Sequence, residues 1–382
     1  MKKLLAAIAV TVLSLSTALA QTVPAPNLAA KSWLLLDATS NQILTSHNAD
    51  ARIEPASLTK LMTAYVVFEA LRDKRLSMDQ MVTVSTRAWK VDPESSKMFI
   101  EPRVPVSIHD LVYGLVVQSG NDAAVALAEA TAGTEEAFVT LMNREAERMG
   151  MKHTRFGNAH GLPDQNNYST AHDLAILAER SAVDHPEYFK IYSVKDFTYN
   201  KIKQANRNRL LWLDPSVDGL KTGHTQQAGY CLVTSALRAS GANQRRLISV
   251  VLGASSDQAR SQESQRLLNW GYQNFDIVKL YGKDQAIATP DVWKGSQSTV
   301  KIGFTHDVFV TVPKGAGGNL KPVLARKDPL VAPIDLNSKV GTVKVSGSDG
   351  KVYAELPVVS LEQVGPAGFF GRAFDSMRLW FK

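Results

Sequence analysis

The apolar positions along the chain change period several times, and each change marks an element. Residues 33–36 (WLLL) and 42–44 (QIL) are short apolar runs around Thr39-Ser40-Asn41, the pattern of a strand hairpin. The stretch EPASLTKLMTAYVVFEALRD then sets Leu58, Leu61, Met62, Tyr65, Val66 and Leu71 at helical spacing behind Pro55. Its apolar face is broad, which places this helix inside a domain and not on its surface. Helical spacing returns at 108–117 and 123–132, on either side of QSGNDAA, and again in EEAFVTLMNREAERMG, where Gly150 supplies the stop. Between 229 and 253 the runs YCLVTSA and RRLISVVLG have the character of strands, and 262–270 that of a helix. Strands at both ends, with helices between and after, predict a sheet covered by helices.

Near Gln285 the character shifts. STVKIGF, DVFVTVP, VGTVKVS and KVYAELPVV are short β-branched segments separated by Gly, Pro and Asp, and Ser348-Asp349-Gly350 marks a hairpin turn. Residues 286–360 are therefore expected to form a separate small β domain without chemistry of its own. The last segment, 361–382, ends in GFFGRAFDSMRLWFK. On a helix, Phe370, Phe374, Met377 and Phe381 share one side, with Phe369, Ala373 and Trp380 beside them. Arg372, Asp375, Arg378 and Lys382 take the other side, and Leu379 breaks the pattern. Aromatics opposite basic residues suit an in-plane membrane anchor. A helix docked on the β domain is the alternative.

The other end of the chain carries Met1-Lys2-Lys3, an apolar run over 4–15 and Ala18-Leu19-Ala20, the layout of a secretory leader over 1–20. Its apolar core is short for a membrane span. The full chain has 43 basic and 36 acidic residues, and loss of Lys2 and Lys3 leaves a charge of +5. That mild excess suits an anionic surface, but no dense basic run interleaved with aromatics points to nucleic acid. Cys231 is the single cysteine, so an internal disulfide is excluded, and its apolar strand context makes it a core filler. The eight histidines are scattered without metal-ligand spacing, so neither metal nor cofactor is expected.

An exported enzyme of this composition turns most naturally to a serine, threonine or carboxylate. Ser57-Leu58-Thr59-Lys60 opens the buried helix, and positions three apart on a helix share a face, so the Lys60 amine can meet the Ser57 hydroxyl. Two other Ser-x-x-Lys sets lack that geometry: Ser298/Lys301 lies in a strand pattern and Ser348/Lys351 spans the hairpin turn. Ser119-Gly120-Asn121 stands between two helices, where a hydroxyl and an amide can point into one cleft; a helix cap would use the same residues. DGLKTGHT carries the one Lys-Thr-Gly of the chain, Lys221-Thr222-Gly223, followed by His224. A strand edge with a cation, a hydroxyl and a glycine can take a peptide alongside and bind its carboxylate.

These three elements in this order are the signature of penicillin-binding proteins and related β-lactamases. The chain resembles the D-alanyl-D-alanine carboxypeptidases among the low-molecular-mass penicillin-binding proteins. PASLTKLMT, QSGNDAAVALAEA, NRNRLLW, VDGLKTGHT and RLISVVLGA carry the likeness. The resemblance implies a penicillin-binding-protein/β-lactamase-like α/β domain over 21–285, an antiparallel sheet flanked by helices, followed by the β domain and tail. It implies hydrolysis of the terminal D-Ala-D-Ala bond of peptidoglycan pentapeptides at the periplasmic face of the inner membrane, and acylation by β-lactams. Ser57 is the expected nucleophile, Lys60 its base, with a pKa lowered by burial and by Lys221, and Ser119 a proton relay. Asn121 would hold Lys60 or the substrate amide, and Lys221 and Thr222 the substrate carboxylate and the Ser119 hydroxyl. The backbone N–H groups of Ser57 and His224 would form the oxyanion hole, and Arg207 and Arg260 would stand near the carboxylate. A class A β-lactamase would need a Glu-x-x-Leu-Asn loop between Asn121 and Lys221, and none occurs. A wall-binding scaffold would have no need of the full set.

Overall fold

The computed structural model describes residues 23–379; the leader at 1–20 and Trp380, Phe381 and Lys382 lie outside the described residues. The first domain is organised by strands β1 (Ser32–Asp37) and β2 (Gln42–His47), followed after a long helical excursion by β3 (Val217–Thr225), β4 (Gly229–Ser240) and β5 (Asn243–Ala254). They pair antiparallel throughout, in the order β2-β1-β5-β4-β3. Side chains alternate across a strand, and β1 is buried on both faces. Leu34 and Leu36 enter the core shared with the helical excursion, while Trp33 and Leu35 pack with Leu267 and Leu268 on the other face. That double cover explains why WLLL runs apolar without a polar alternate.

The excursion supplies α1 (Thr59–Arg72), α2 (Asn121–Ala132), α3 (Glu135–Met149) and α4 (Ala171–Asp184), and α5 (Asp257–Asn274) follows the sheet. Twelve of the fourteen residues of α1 are buried, as its broad apolar face requires. α3 is capped by the Thr134 hydroxyl and stops at Gly150, whose φ of 78° is left-handed. The helical stretch expected over 108–117 departs from a plain α-helix: after Tyr113 it widens into a π-helix, Gly114–Gln118, and closes on Ser119 with φ 66°.

The second domain has its own apolar core, with Val300, Ile302, Val310, Val312, Val345 and Val358 buried in it. Its main sheet runs Ala286–Ala288, Ile302–Gly303, Val352–Ser360, Lys339–Ser346, Lys321–Arg326. The hairpin turn read at Ser348-Asp349-Gly350 joins two of these strands. The strand Phe275–Tyr281, which the sequence reading left in the first domain, pairs with Val308–Pro313 and packs Val278 and Leu280 on the second core. At the junction the Asp37 carboxylate accepts from Arg245 Nε and Thr311 Oγ1, both at 2.7 Å, while Gln42 bonds both backbone groups of Thr311.

The C-terminal helix, Phe369–Leu379, leaves Phe369 and Phe370 74% and 87% exposed. Its Asp375 carboxylate accepts the Lys294 N–H at 2.6 Å, which tethers it to the β domain. Among the described residues no helix is long and apolar enough to cross a membrane, and no group of three or more His, Cys, Asp or Glu could hold a metal.

Candidate active site

Ser57 sits in a single 3-10 turn, Ala56–Leu58, that runs directly into α1. Lys60 follows one turn later, 1% exposed, with its Nζ 3.0 Å from Ser57 Oγ. The same nitrogen lies 2.6 Å from Asn121 Oδ1 and 2.5 Å from the His160 carbonyl. Burial, then the Arg207 cation, push Lys60 down to about 7, against an opposing pull from Asp122. That cation is Arg207, where the sequence predicts Lys221. Lys221 is itself held well below the usual lysine range by burial and by Lys60, Arg207 and Arg260.

Ser119 is 2% exposed in its left-handed turn, and its hydroxyl has no hydrogen-bond partner within the protein. The expected bond from Lys221 or Thr222 to that hydroxyl is not made; Lys221 Nζ instead donates to the Thr222 carbonyl at 3.1 Å. Asn121 opens α2 without capping it. Its neighbour Asp122 accepts the N–H groups of Met98, Phe99 and Ile100 at 3.0, 2.8 and 3.2 Å, which fixes the loop above the cleft. A Cβ on Gly120, which precedes Asn121, would come within 2.7 Å of the Asp122 carboxylate and 3.1 Å of the Met98 nitrogen, so glycine lets that loop lie close.

Gly223 lines the cleft and has a further use besides the one expected. A Cβ there would lie 3.0 Å from the Pro55 carbonyl and 3.3 Å from Ala56 Cβ, so glycine lets β3 lie against the turn that carries Ser57. His224 is exposed, its ring 4.0 Å from that of Tyr230. Thr225 is tied to Glu54 at 3.0 Å. Arg207 is exposed on the cleft wall. Arg260 is 6% exposed and donates to the Gly223 and Cys231 carbonyls at 3.1 and 3.4 Å and to Asp257, so much of its hydrogen-bonding capacity maintains β3 and β4.

One cleft of about 460 Å³ gathers Ser57, Ser119, Asn121, Arg207, Thr222, Gly223, His224 and Arg260 on its walls. Lys60 and Lys221 lie just behind, buried. Three contributions were not visible in the sequence. Asp92, Glu94, Ser95 and Ser96 form a polar rim. The His160 carbonyl holds Lys60. Gly161, at φ 85°, presses on the Ser57 turn so closely that a Cβ would fall 1.9 Å from the Ala56 carbonyl. A polar NAHG stretch with a glycine between two helices was the available signal for the last two.

Fold and cleft together define the class: serine acyl-transfer enzymes built on the penicillin-recognising fold. Comparison with known proteins agrees with that class. The D-alanyl-D-alanine carboxypeptidase family matches residues 19–256, and the C-terminal domain of penicillin-binding protein 5 matches 275–366. D-alanyl-D-alanine carboxypeptidase DacC of Escherichia coli strain K12 is 43% identical over 367 residues, covering 94% of this chain and 90% of that one. The crystal structure of penicillin-binding protein 5 from Haemophilus influenzae superposes with a TM-score of 0.83 at 44% identity, over 90% of this chain and 99% of that one. The cefotaxime-bound penicillin-binding protein D2 of Listeria monocytogenes matches at a TM-score of 0.59 and 32% identity, over 65% and 99%. The chain belongs to the D-alanyl-D-alanine carboxypeptidase family. It is a serine D-Ala-D-Ala carboxypeptidase of the penicillin-binding kind.

Proposed function

We propose that the exported chain removes the terminal D-alanine from peptidoglycan stem pentapeptides through an acyl-enzyme on Ser57, and that β-lactams acylate the same serine. The arrangement around Lys60 carries this reading. A neutral amine has two N–H donors and one lone pair. Asn121 Oδ1 and the His160 carbonyl can only accept, so they take both donors and leave the lone pair for the Ser57 hydroxyl 3.0 Å away. With Lys60 at about 7, half of the enzyme holds that base deprotonated at neutral pH.

Ser57 Oγ attacks the carbonyl between the two D-alanines as its proton passes to Lys60. The backbone N–H groups of Ser57 and His224 hold the oxyanion, and one such donor is worth about 2.7–4 kcal/mol. Ser119, its hydroxyl unengaged, relays the proton to the departing D-alanine nitrogen. Lys221, Arg207 and Arg260, with the Thr222 hydroxyl, receive the terminal carboxylate, whose charge offsets part of the burial and cation repulsion that depress Lys221. Water then cleaves the ester and regenerates Ser57. The helix Phe369–Leu379 lies in the headgroup region at the periplasmic face of the inner membrane, with its exposed phenylalanines in the acyl layer.

The test is an intact-mass time course of the mature protein with benzylpenicillin, beside D-alanine release from a pentapeptide. A one-ligand adduct lasting minutes, absent in Ser57→Ala together with all D-alanine release, is the expected result. Drug consumed without an adduct would make the enzyme a β-lactamase. Drug and mass both unchanged would mean no working acyl-transfer site. Removing residues 369–382 should move the mature protein from the membrane to the soluble fraction; retention on membranes would refute the anchor.

A further inference from the structure

The His160 carbonyl fixes one of the two Lys60 donors, so its own position has to be fixed. It lies on the loop between α3 and α4, and several groups hold that loop. Asn158 Oδ1 accepts the His160 and Gly161 N–H groups at 3.3 and 2.6 Å, and Thr63 Oγ1 donates to the Ala159 carbonyl at 2.6 Å. From behind comes Glu135, the first residue of α3. One carboxylate oxygen accepts the Ala159 N–H at 3.1 Å and stands 3.4 Å from His160 Nε2.

The tautomer of His160 follows from its other nitrogen. Nδ1 accepts the Leu162 N–H at 3.2 Å, so in the neutral ring the proton is on Nε2, the nitrogen that faces Glu135. The ring is neutral: burial, Lys60 and Arg87 push it down to about 3. Glu135 is 8% exposed, and a buried carboxylate needs compensation. Its second oxygen has Arg87 at 2.5 Å, and its place in the first turn of α3 adds the favourable end of the helix dipole. Arg87, Glu135, Asn158 and His160 line a second cavity of about 460 Å³, with Leu162 common to it and the cleft.

We propose that Glu135 is a positioning residue for acylation: its carboxylate holds the Ala159 N–H and backs the His160 ring, and so keeps the His160 carbonyl on the Lys60 amine. If that carbonyl drifts, one Lys60 N–H loses its acceptor and turns to the nearest oxygen, Ser57 Oγ. The lone pair then no longer faces the serine proton. The inference rests on Lys60 being the base.

The decisive experiment measures benzylpenicillin acylation of the mature chain by rapid kinetics, separating non-covalent affinity from the acylation rate constant across pH. Glu135→Met fills the same space without an acceptor. It should lower the rate constant on the order of 10- to 100-fold, the usual consequence of a small misplacement of a reacting group, and leave affinity unchanged. The acid limb should move to lower pH, because a carbonyl acceptor favours the ammonium and its loss disfavours it. The other charges around Lys60, those of Asp122, Arg207 and Lys221, are untouched. Glu135→Gln keeps an acceptor oxygen and should restore most of the rate. An unchanged rate constant overturns the proposal, as does a Gln variant no better than Met. So does a limb that rises toward the ordinary lysine range with affinity falling alongside, the mark of a loosened, wetter core. Should Glu135→Met fail to fold, isosteric Thr63→Val releases the same loop at the Ala159 carbonyl and must show the same signature. A wild-type enzyme without an acid limb would refute Lys60 as base, whereas a limb that Glu135 does not move would refute only this inference.

Discussion

Replacing Arg207 by glutamine removes the cation that, after burial, does most to depress Lys60, without touching the core around it. Lys60 is pushed down to about 7 from its ordinary 10.5, a preference of several kcal/mol against the charged form. Burial is the larger cause and survives the substitution. Arg207 is exposed, so solvent screens its share. The sign is fixed: losing a positive neighbour favours protonation of Lys60, and the acid limb of acylation rises. For a limb raised by one pH unit, neutral Lys60 at pH 7 falls from about one half to about one eleventh, a roughly fivefold slower acylation. Above about pH 9 both enzymes are deprotonated, and only the pH-independent loss from the carboxylate wall should remain. The assay is the second-order rate of benzylpenicillin acylation from pH 5 to 9.5, repeated at high salt, where screening should narrow the gap. A limb that stays put or moves down would refute the electrostatic account. A uniform loss at every pH would mean that Arg207 acts only by holding the ligand carboxylate.

The same buried lysine affects stability. Its folded pKa lies below the unfolded value, so the unfolded chain binds the extra proton between about pH 7 and 10.5, and stability should rise with pH across that window. Chemical denaturation of Lys60→Met against wild type should show the methionine variant favoured most at pH 6, with the gap shrinking toward pH 10; a pH-independent gap would exclude a buried ammonium. Gly161→Ala should slow acylation at least about tenfold by displacing the Ser57 turn, as read from penicillin labelling, and wild-type labelling would show that the loop yields freely. Thr311→Val removes a donor from the buried Asp37 carboxylate and should cost about 1–3 kcal/mol in urea unfolding with kcat intact. A change below about 0.5 kcal/mol would mean that the junction is slack.

What could be read from the sequence was what side chains encode periodically or chemically. Ser57 and Lys60 were legible because their spacing fits only a helix start, and Lys221-Thr222-Gly223 because it occurs once. The β1–β2 hairpin and the long strands β4 and β5 followed from apolar patterning. The π-helix before Ser119 was not legible, since Gly-Leu-Val-Val-Gln suits an α-helix equally well; the tight packing of Met98 on Gly114 appears only in three dimensions. The His160 carbonyl escaped because a backbone atom carries no residue identity. The start of the second domain was read late because α5 runs into the strand Phe275–Tyr281 without a glycine or proline between them. Nothing local to Asp122 reveals that three N–H groups from another loop converge on its carboxylate.

The position of the two domains on one sheet gives the second domain a mechanical meaning. The cleft lies at the β3 edge, where Gly223 admits the Ser57 turn. The β domain docks at the opposite edge, where Gln42 of β2 grips the backbone of Thr311 and the Tyr353 carbonyl. Both edges that could recruit stray strands are thereby occupied, one by the neighbouring domain and one by the catalytic turn. Four strand spacings separate them, on the order of 19 Å. The link across is stiff, since Asp37 on β1 joins Arg245 on β5 to Thr311 through a single buried carboxylate. A pull on the C-terminal helix therefore reaches the cleft through this sheet and through α5, which carries Arg260 and runs directly into the strand Phe275–Tyr281. Loosening the junction should let the domains tilt and the protein unfold earlier, while Ser57, Lys60 and β3 keep their geometry until the sheet itself gives way.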